Sequence, residues 1–196
     1  NGFVMIDSSD IDNGSTDNCG IATIAISQDT FDCTNVGMVN VIVVTVTDVN
    51  GNVDSCFSTI TVIDNVAPTA VCKDDTVYLD ASGNVSITTA NVDGGSSDNC
   101  DFTMELSDTT FNCLDTGANT VTLFVTDASG NVSVCTSTVT VYDTLAPVMM
   151  CKDDTAYLDA TGNVSIMVSD VDNGTTDNCT IESMILSQYD FNCFSC

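Results

Sequence analysis

Three stretches of this 196-residue chain concentrate carboxylates on a bendable backbone: "DIDNGSTDNC" at 10–19, "NVDGGSSDNC" at 91–100 and "DVDNGTTDNC" at 170–179. Hard Ca²⁺ takes several oxygen ligands from carboxylates and carbonyls on a flexible loop, and Asp-x-Asp-Asn-Gly supplies them closely spaced. No Glu closes the loop at the distance an EF-hand needs. The same residues also suit a polar connection between strands, with Asp and Asn making side-chain turns and Gly the bend. The candidate Ca²⁺ ligands in these loops are Asp10, Asp12, Asp17, Asp93, Asp98, Asp170, Asp172 and Asp177, with Asn91 replacing the first Asp in the middle copy. Asp64, Asp115, Asp143 and Asp159 join them from neighbouring turns and connections.

The second chemistry is sulfur. Of 11 cysteines, ten fall at four repeating positions: Cys72 and Cys151; Cys19, Cys100 and Cys179; Cys33, Cys113 and Cys193; Cys56 and Cys135. Four cysteines per unit, with no His and no repeated zinc-type spacing, point to disulfides and an oxidising compartment. If "DFTMELSDTTFN" between Cys100 and Cys113 is a hairpin, its ends meet. That logic pairs Cys19–Cys33, Cys100–Cys113 and Cys179–Cys193, and leaves Cys72–Cys135 to join the first strand of a unit to its last. Four cysteines allow three connectivities, so the pairing stays open. Cys56 and Cys151 have no partner in this scheme, and Cys196 stands outside the repeat in "CFSC", where the previous copy reads "CLDT".

The elements that must position these groups are strands. Self-similarity at a spacing of about 80 residues marks an array of units. The boundaries fall at 1–63, 64–143 and 144–196. In the complete unit, "TVTLFVTD" at 120–127 and "NVSVCTSTVTVYD" at 131–143 alternate apolar and polar residues, with a Gly-Asn turn between them. Relatives of that turn at 48–52, 80–84 and 159–163 predict further hairpins, including one between "TVYLD" and "NVSIT". Seven strands follow, at about 69–72, 76–80, 84–90, 101–107, 110–114, 119–127 and 131–142. The fold class is all-β: tandem immunoglobulin-like seven-stranded antiparallel sandwiches. An odd strand number puts the ends of a unit at opposite poles, so tandem units make a rod. Pro68 and Pro147 stiffen the connections. By the same parity, Asp93, Asp98, Asp115, Asp143 and Asp159 gather at a joint, where a divalent ion removes their repulsion.

The first unit lacks its first two strands and the last unit its final two, so these residues read as a window on a longer array. The other reading is strand exchange between protomers. A formal net charge of -26, from 28 acidic and 2 basic residues, excludes nucleic acid and anionic membrane surfaces as partners. No apolar run is long enough to span a membrane.

"APTAVCKDDTVYLDASGNVSITTANVDGGSSDNC" followed by "VTDASGNVSVCTSTVTVYD" resembles the HYR-like, immunoglobulin-like repeats of very large Bacteroidetes surface adhesins and extracellular fibres. The resemblance covers essentially the whole chain. It implies an extracellular, cell-surface role. It also implies O-glycosylation at Thr in Asp-Thr-x sequences, here Thr76, Thr109, Thr144 and Thr155. Independently, Asn-x-Ser/Thr sequons mark Asn13, Asn84, Asn131, Asn163, Asn173 and Asn178 as candidate glycan carriers.

An enzyme is not expected. There is no His to serve as a base, and the acidic residues recur in register with the repeat, as structural parts do. The expected function is a structural fibre or stalk of disulfide-stapled, calcium-stiffened, glycosylated repeats, whose partners are other copies of the repeat. The alternative is an adhesin module that binds a glycan or surface partner. Its candidate aromatics are Phe57, Phe124, Tyr78 and Tyr157, which suit sheet packing better than a ligand platform.

Overall fold

The structure is a computed structural model and describes residues 2–193. It is all-β, with only short helical pieces. In chain order the strands are β1 (Phe3–Met5), β2 (Ile21–Ile26), β3 (Thr30–Asp32), β4 (Val39–Asp48), β5 (Val53–Thr61), β6 (Asp75–Tyr78) and β7 (Asn84–Ser86). They continue as β8 (Phe102–Leu106), β9 (Thr110–Asn112), β10 (Gly117–Asp127), β11 (Val132–Tyr142), β12 (Asn163–Ser165) and β13 (Asp190–Asn192). Four-residue helices α1 (Ser8–Ile11), α2 (Thr89–Val92) and α3 (Val168–Val171) begin or precede the three acidic loops. The sheets are β1-β3, β2-β4-β5, β6-β11-β10-β8, β7-β9 and β12-β13.

The hairpins β4–β5 and β10–β11 form where the Gly-Asn turns predict them. Both turns are built on one carboxylate. Asp48 Oδ1 accepts from the N–H groups of Asn50 and Asn52, both at 2.8 Å. Asp127 Oδ1 accepts from Ser129 at 2.9 Å and Asn131 at 2.8 Å. Gly51 and Gly130 supply the positive φ, 87° and 89°, that such a turn requires.

Other expected hairpins do not form, among them the one at 159–163, where β12 pairs with β13 instead. The turn at 80–84 closes on Asp80 Oδ1, but β6 pairs in parallel with β11 while β7 pairs antiparallel with β9. The segments at 101–107 and 110–114 also part company: β8 joins β10, and β9 joins β7. The backbone shows the switch. Ser107 N–H donates to Thr122 C=O at 3.0 Å, and within two residues Thr109 C=O accepts from Ile87 N–H at 2.9 Å. The first repeat does the same, with Ser27 bonded to Val43 and Asp29 to Ile6. The expected strand at 69–72 is reduced to single bridges, Thr69 with Ser97 and Cys72 with Asp93.

The chain forms two compact units that cut across the repeat register. One comprises Asn1–Cys72, Asp93–Ser107 and Thr122–Thr136. Its core is Phe31, Ile42, Val44, Leu123 and Val125, the inward residues of β3, β4 and β10. The other comprises Lys73–Val92, Asp108–Val121 and Ser137–Cys196. Its core is Val77, Leu79, Ile87, Val92, Phe111, Val121, Val139 and Val141. Alternate residues are buried along β10, β11 and the middle of β4, as a half-buried sheet requires.

The turn carboxylates make the fold acid-sensitive. Hydrogen bonds hold their pKa values below the ordinary 3.8: chiefly the Asn52 side chain at Asp48, the Ser82 side chain at Asp80 and the Asn163 backbone at Asp159. A folded-state pKa below the unfolded one stabilises fully above the unfolded value and is lost as the pH falls through the folded value. Melting temperature, measured in high salt to screen the net charge, should therefore hold steady from neutral pH down to about 4 and drop below 3.8. Asp48→Asn should soften that drop.

Candidate functional site: the repeat joints

The sheet switch decides where the cysteines go. Because β2 and β3 belong to different sheets, the ends of the segment between Cys19 and Cys33 diverge. Cys33, opening a 3-10 turn capped by Asp32, instead bonds Cys100 of the next repeat, with Cα atoms 5.5 Å apart. Cys113, opening the equivalent turn, bonds Cys179, with Cα atoms 5.4 Å apart. The expected pairs Cys19–Cys33, Cys100–Cys113 and Cys179–Cys193 are therefore corrected to Cys33–Cys100 and Cys113–Cys179. The bridges join successive repeats rather than closing hairpins within them. Cys72–Cys135 is present, 5.8 Å between Cα atoms, with Cys135 on β11. Cys19, Cys56, Cys151 and Cys193 are free and exposed, and Cys196 lies outside the described residues. Disulfides form and persist in oxidising compartments, and three of them fit that setting.

Each inter-repeat bridge is seated on a glycine. Gly83 has φ 75°, and a Cβ there would lie 2.6 Å from Asn178 O and 2.7 Å from Cys113 Sγ. Gly2 has φ 62°, and its Cβ would lie 2.6 Å from Asn99 O and 3.1 Å from Cys33 Sγ. Only glycine permits both that conformation and that approach. The Asn of each Asp-Asn-Cys loop then ties into the connection before it. Asn99 Nδ2 donates to Asp64 Oδ2 at 2.9 Å, and Asn178 Nδ2 donates to Asp143 Oδ1 at 3.1 Å and Asp80 O at 3.3 Å.

Beside the first joint, one oxygen from each of Asp64, Asp98 and Asp127 falls within 4.8 Å of the others. Among the described residues this is the one such group of potential ligands. Asp98 and Asn99 each have a buried Oδ1 that accepts no hydrogen bond. Asp127 is 6% exposed; burial pushes its carboxyl up, but the Asn131 amide and backbone N–H groups outweigh that and hold it low. Among the described residues no basic side chain is bonded to these groups. Clustered carboxylates with unspent acceptors suit a hard divalent cation. In the third repeat Asp143 and Asp177 are the counterparts of Asp64 and Asp98.

The other sequence-named carboxylates have local partners. Asp10 and Asp170 accept from the backbone at the start of α1 and α3, and Asp115 from Asn112 N–H. Asp12, Asp93 and Asp172 accept from Ser15, Ser96 and Thr175, as turn-forming Asp residues do. Asp17, Asp98 and Asp177 each accept from the N–H of the cysteine two residues on. Asp159 closes its Gly-Asn turn. So Asp64 and Asp98 come together, and the candidate ligand that sequence reasoning missed is Asp127.

Thr76, Thr109, Thr144 and Thr155 are all exposed, as are Asn13, Asn84, Asn163 and Asn173. Asn131 and Asn178 are partly buried, and their Nδ2 atoms are engaged, Asn131 with Asp127 Oδ2 at 2.7 Å. A glycan on either nitrogen would replace a proton now hydrogen-bonded. Phe57, Phe124, Tyr78 and Tyr157 are exposed, and Tyr78 stacks on Tyr142 with ring centroids 6.1 Å apart. No protein-family model matches the chain, and no curated protein matches it.

Three outcomes test the joints. Cys113→Ser should destabilise by about 2–4 kcal/mol in denaturant unfolding, while Cys193→Ser should leave stability unchanged. Gly83→Ala should weaken the same joint with both cysteines retained. Millimolar Ca²⁺ should raise the melting temperature, and the double substitution Asp98→Asn with Asp127→Asn should remove that response.

Proposed function

We propose that this chain serves as a structural extracellular fibre or stalk of a bacterial surface, built of immunoglobulin-like sandwich repeats. The observation that carries this reading is the overlap of its bridges. Cys33–Cys100, Cys72–Cys135 and Cys113–Cys179 join positions 67, 63 and 66 residues apart, and each enclosed segment overlaps the next. A cut in the backbone anywhere between Cys33 and Cys179 leaves the two sides covalently joined. Tension applied across the chain runs from Cys33 to Cys100, along the short stretch to Cys113, and on to Cys179. The residues enclosed by Cys33–Cys100 and by Cys113–Cys179 carry none of it. A soluble enzyme or a single binding module gains nothing from that arrangement, whereas a fibre under load and protease attack does.

Two further parts of the reading follow from the joint. Ca²⁺ held by Asp64, Asp98 and Asp127 removes their repulsion and fixes the loop that carries Cys100. Glycans on the exposed threonines Thr76, Thr109, Thr144 and Thr155 shield the surface. The similarity to HYR-like repeats of Bacteroidetes surface proteins supports the same placement, and the partners are then other copies of the repeat.

Limited proteolysis tests the proposal. Chains nicked once between Cys33 and Cys179 should run at full mass on a denaturing gel without reductant and fall into two fragments with it. Fragments that separate without reductant would sink the reading.

A further inference from the structure

The chain has 4 tyrosines, and two of them meet. Tyr78 ends β6 and Tyr142 ends β11, and the parallel ladder sets them directly opposite each other. Successive side chains of a strand point to opposite faces. Val77 and Val141, the residues before them, are buried in the core, so both tyrosines point outward. Leu79 N–H donates to Tyr142 C=O at 2.9 Å and ties the two backbones together at this level. The rings stack with centroids 6.1 Å apart and planes 27° from parallel. Tyr78 is 58% exposed and Tyr142 50%, so small molecules reach both rings. The whole arrangement lies in the complete repeat. Ile63, the counterpart of Tyr142 in the first repeat, is followed directly by that complete repeat and is also exposed.

We propose that Tyr78 and Tyr142 form an oxidative cross-linking site, at which hydrogen peroxide, activated by a haem peroxidase, joins the two rings through carbons ortho to their hydroxyls. Each phenol gives up one electron and its hydroxyl proton, which leaves a phenoxyl radical with spin on its ortho carbons. One Cε of Tyr78 and one Cε of Tyr142 then form a C–C bond. The hydrogens on those two carbons leave as protons through solvent, and the two oxygens take up protons, which restores both hydroxyls. The rings lose two hydrogen atoms in all, and one peroxide becomes two waters. Holding the two reacting groups side by side makes their coupling effectively unimolecular, so it outpaces encounters between chains.

Position and charge both suit this chemistry. Cys72–Cys135 closes one end of the parallel pairing of β6 with β11, and Tyr78 and Tyr142 stand at the other end. A link there staples the same two strands a second time. Thiols undo a disulfide by exchange, but they have no reaction with a C–C bond between rings. The net charge of -26 repels anionic oxidants, whereas hydrogen peroxide is neutral and is not excluded. Tyr157 and Tyr189 are exposed as well, but among the described residues the stacked ring pair is Tyr78 with Tyr142.

The cross-link does not depend on the fibre reading, and its test is separate. The whole chain is treated with hydrogen peroxide and a haem peroxidase at low protein concentration. Biphenol fluorescence is followed, the product is run on a reducing denaturing gel, and its peptides are mapped by mass spectrometry. The proposal expects fluorescence in the band of a single chain, unchanged per chain on tenfold dilution. It expects a peptide pair joined at Tyr78 and Tyr142, lighter than the two separate peptides by two hydrogens. Tyr142→Phe keeps a ring at that place but removes the phenol, and should abolish the joined peptide. The double substitution Tyr157→Phe with Tyr189→Phe should leave it intact. With reductant present, the treated chain should also melt at a higher temperature than treated Tyr142→Phe. Fluorescence confined to chain multiples, fluorescence that persists in Tyr142→Phe, or oxidised tyrosines without the joined peptide would each overturn the proposal.

Discussion

The joints depend on one backbone event, a change of sheet within a few residues. At Ser107–Thr109 the chain leaves the ladder of β10 and enters that of β7, and at Ser27–Asp29 it does the same from β4 to β1. A strand pair that stayed together would bring Cys100 back to Cys113 and close a small ring. The switch forbids this, because the two segments bond to different sheets. Each cysteine is left facing out of its own repeat, where the partner within reach belongs to the neighbour. Glycine at positions 2 and 83 then lets the neighbour's loop approach closely enough for the sulfurs to meet.

That connectivity explains how a chain so poor in large apolar residues and so rich in charge can hold its structure. There is no Trp, the cores are mostly Val, Leu and Ile with one Phe each, and the net charge is -26. Self-repulsion of that size opposes compaction. Two devices offset it locally. Asp side chains are spent on backbone N–H groups in turns and caps, which keeps them ionised and useful. Covalent bridges restrict the unfolded chain over 63 to 67 residues each. Asp64, Asp98 and Asp127 crowd together even so, and one oxygen of Asp98 is left buried without a donor.

Much of this was legible in the sequence. Alternation gave the long strands, and Asp-x-x-Gly-Asn gave the turns, because a carboxylate two and four residues before backbone donors is a local matter. The Cys72–Cys135 bridge, left over once the hairpin pairs are assigned, is present although those pairs are not. The inter-repeat bridges were not legible from one unit, because adjacency in sequence suggested a hairpin and the competing sheet is formed by distant residues. The repeat held a signal nonetheless: positions equivalent to Cys33 and Cys100 recur in successive copies, so a pairing between copies was as regular as one within them. Local sequence marks Asp127 only as a turn residue. Its approach to Asp64 and Asp98 depends on residues arriving from elsewhere in the chain, which no local pattern reports.

Single-molecule extension tests serial stapling most directly. The chain is pulled from its ends, and the contour length gained on adding reductant is recorded. Bridges at Cys33–Cys100 and Cys113–Cys179 hide 67 and 66 residues, so reduction should release about 440 Å at 3.3 Å per residue. A gain near about 210 Å, that of the 63 residues within Cys72–Cys135 alone, would contradict the account.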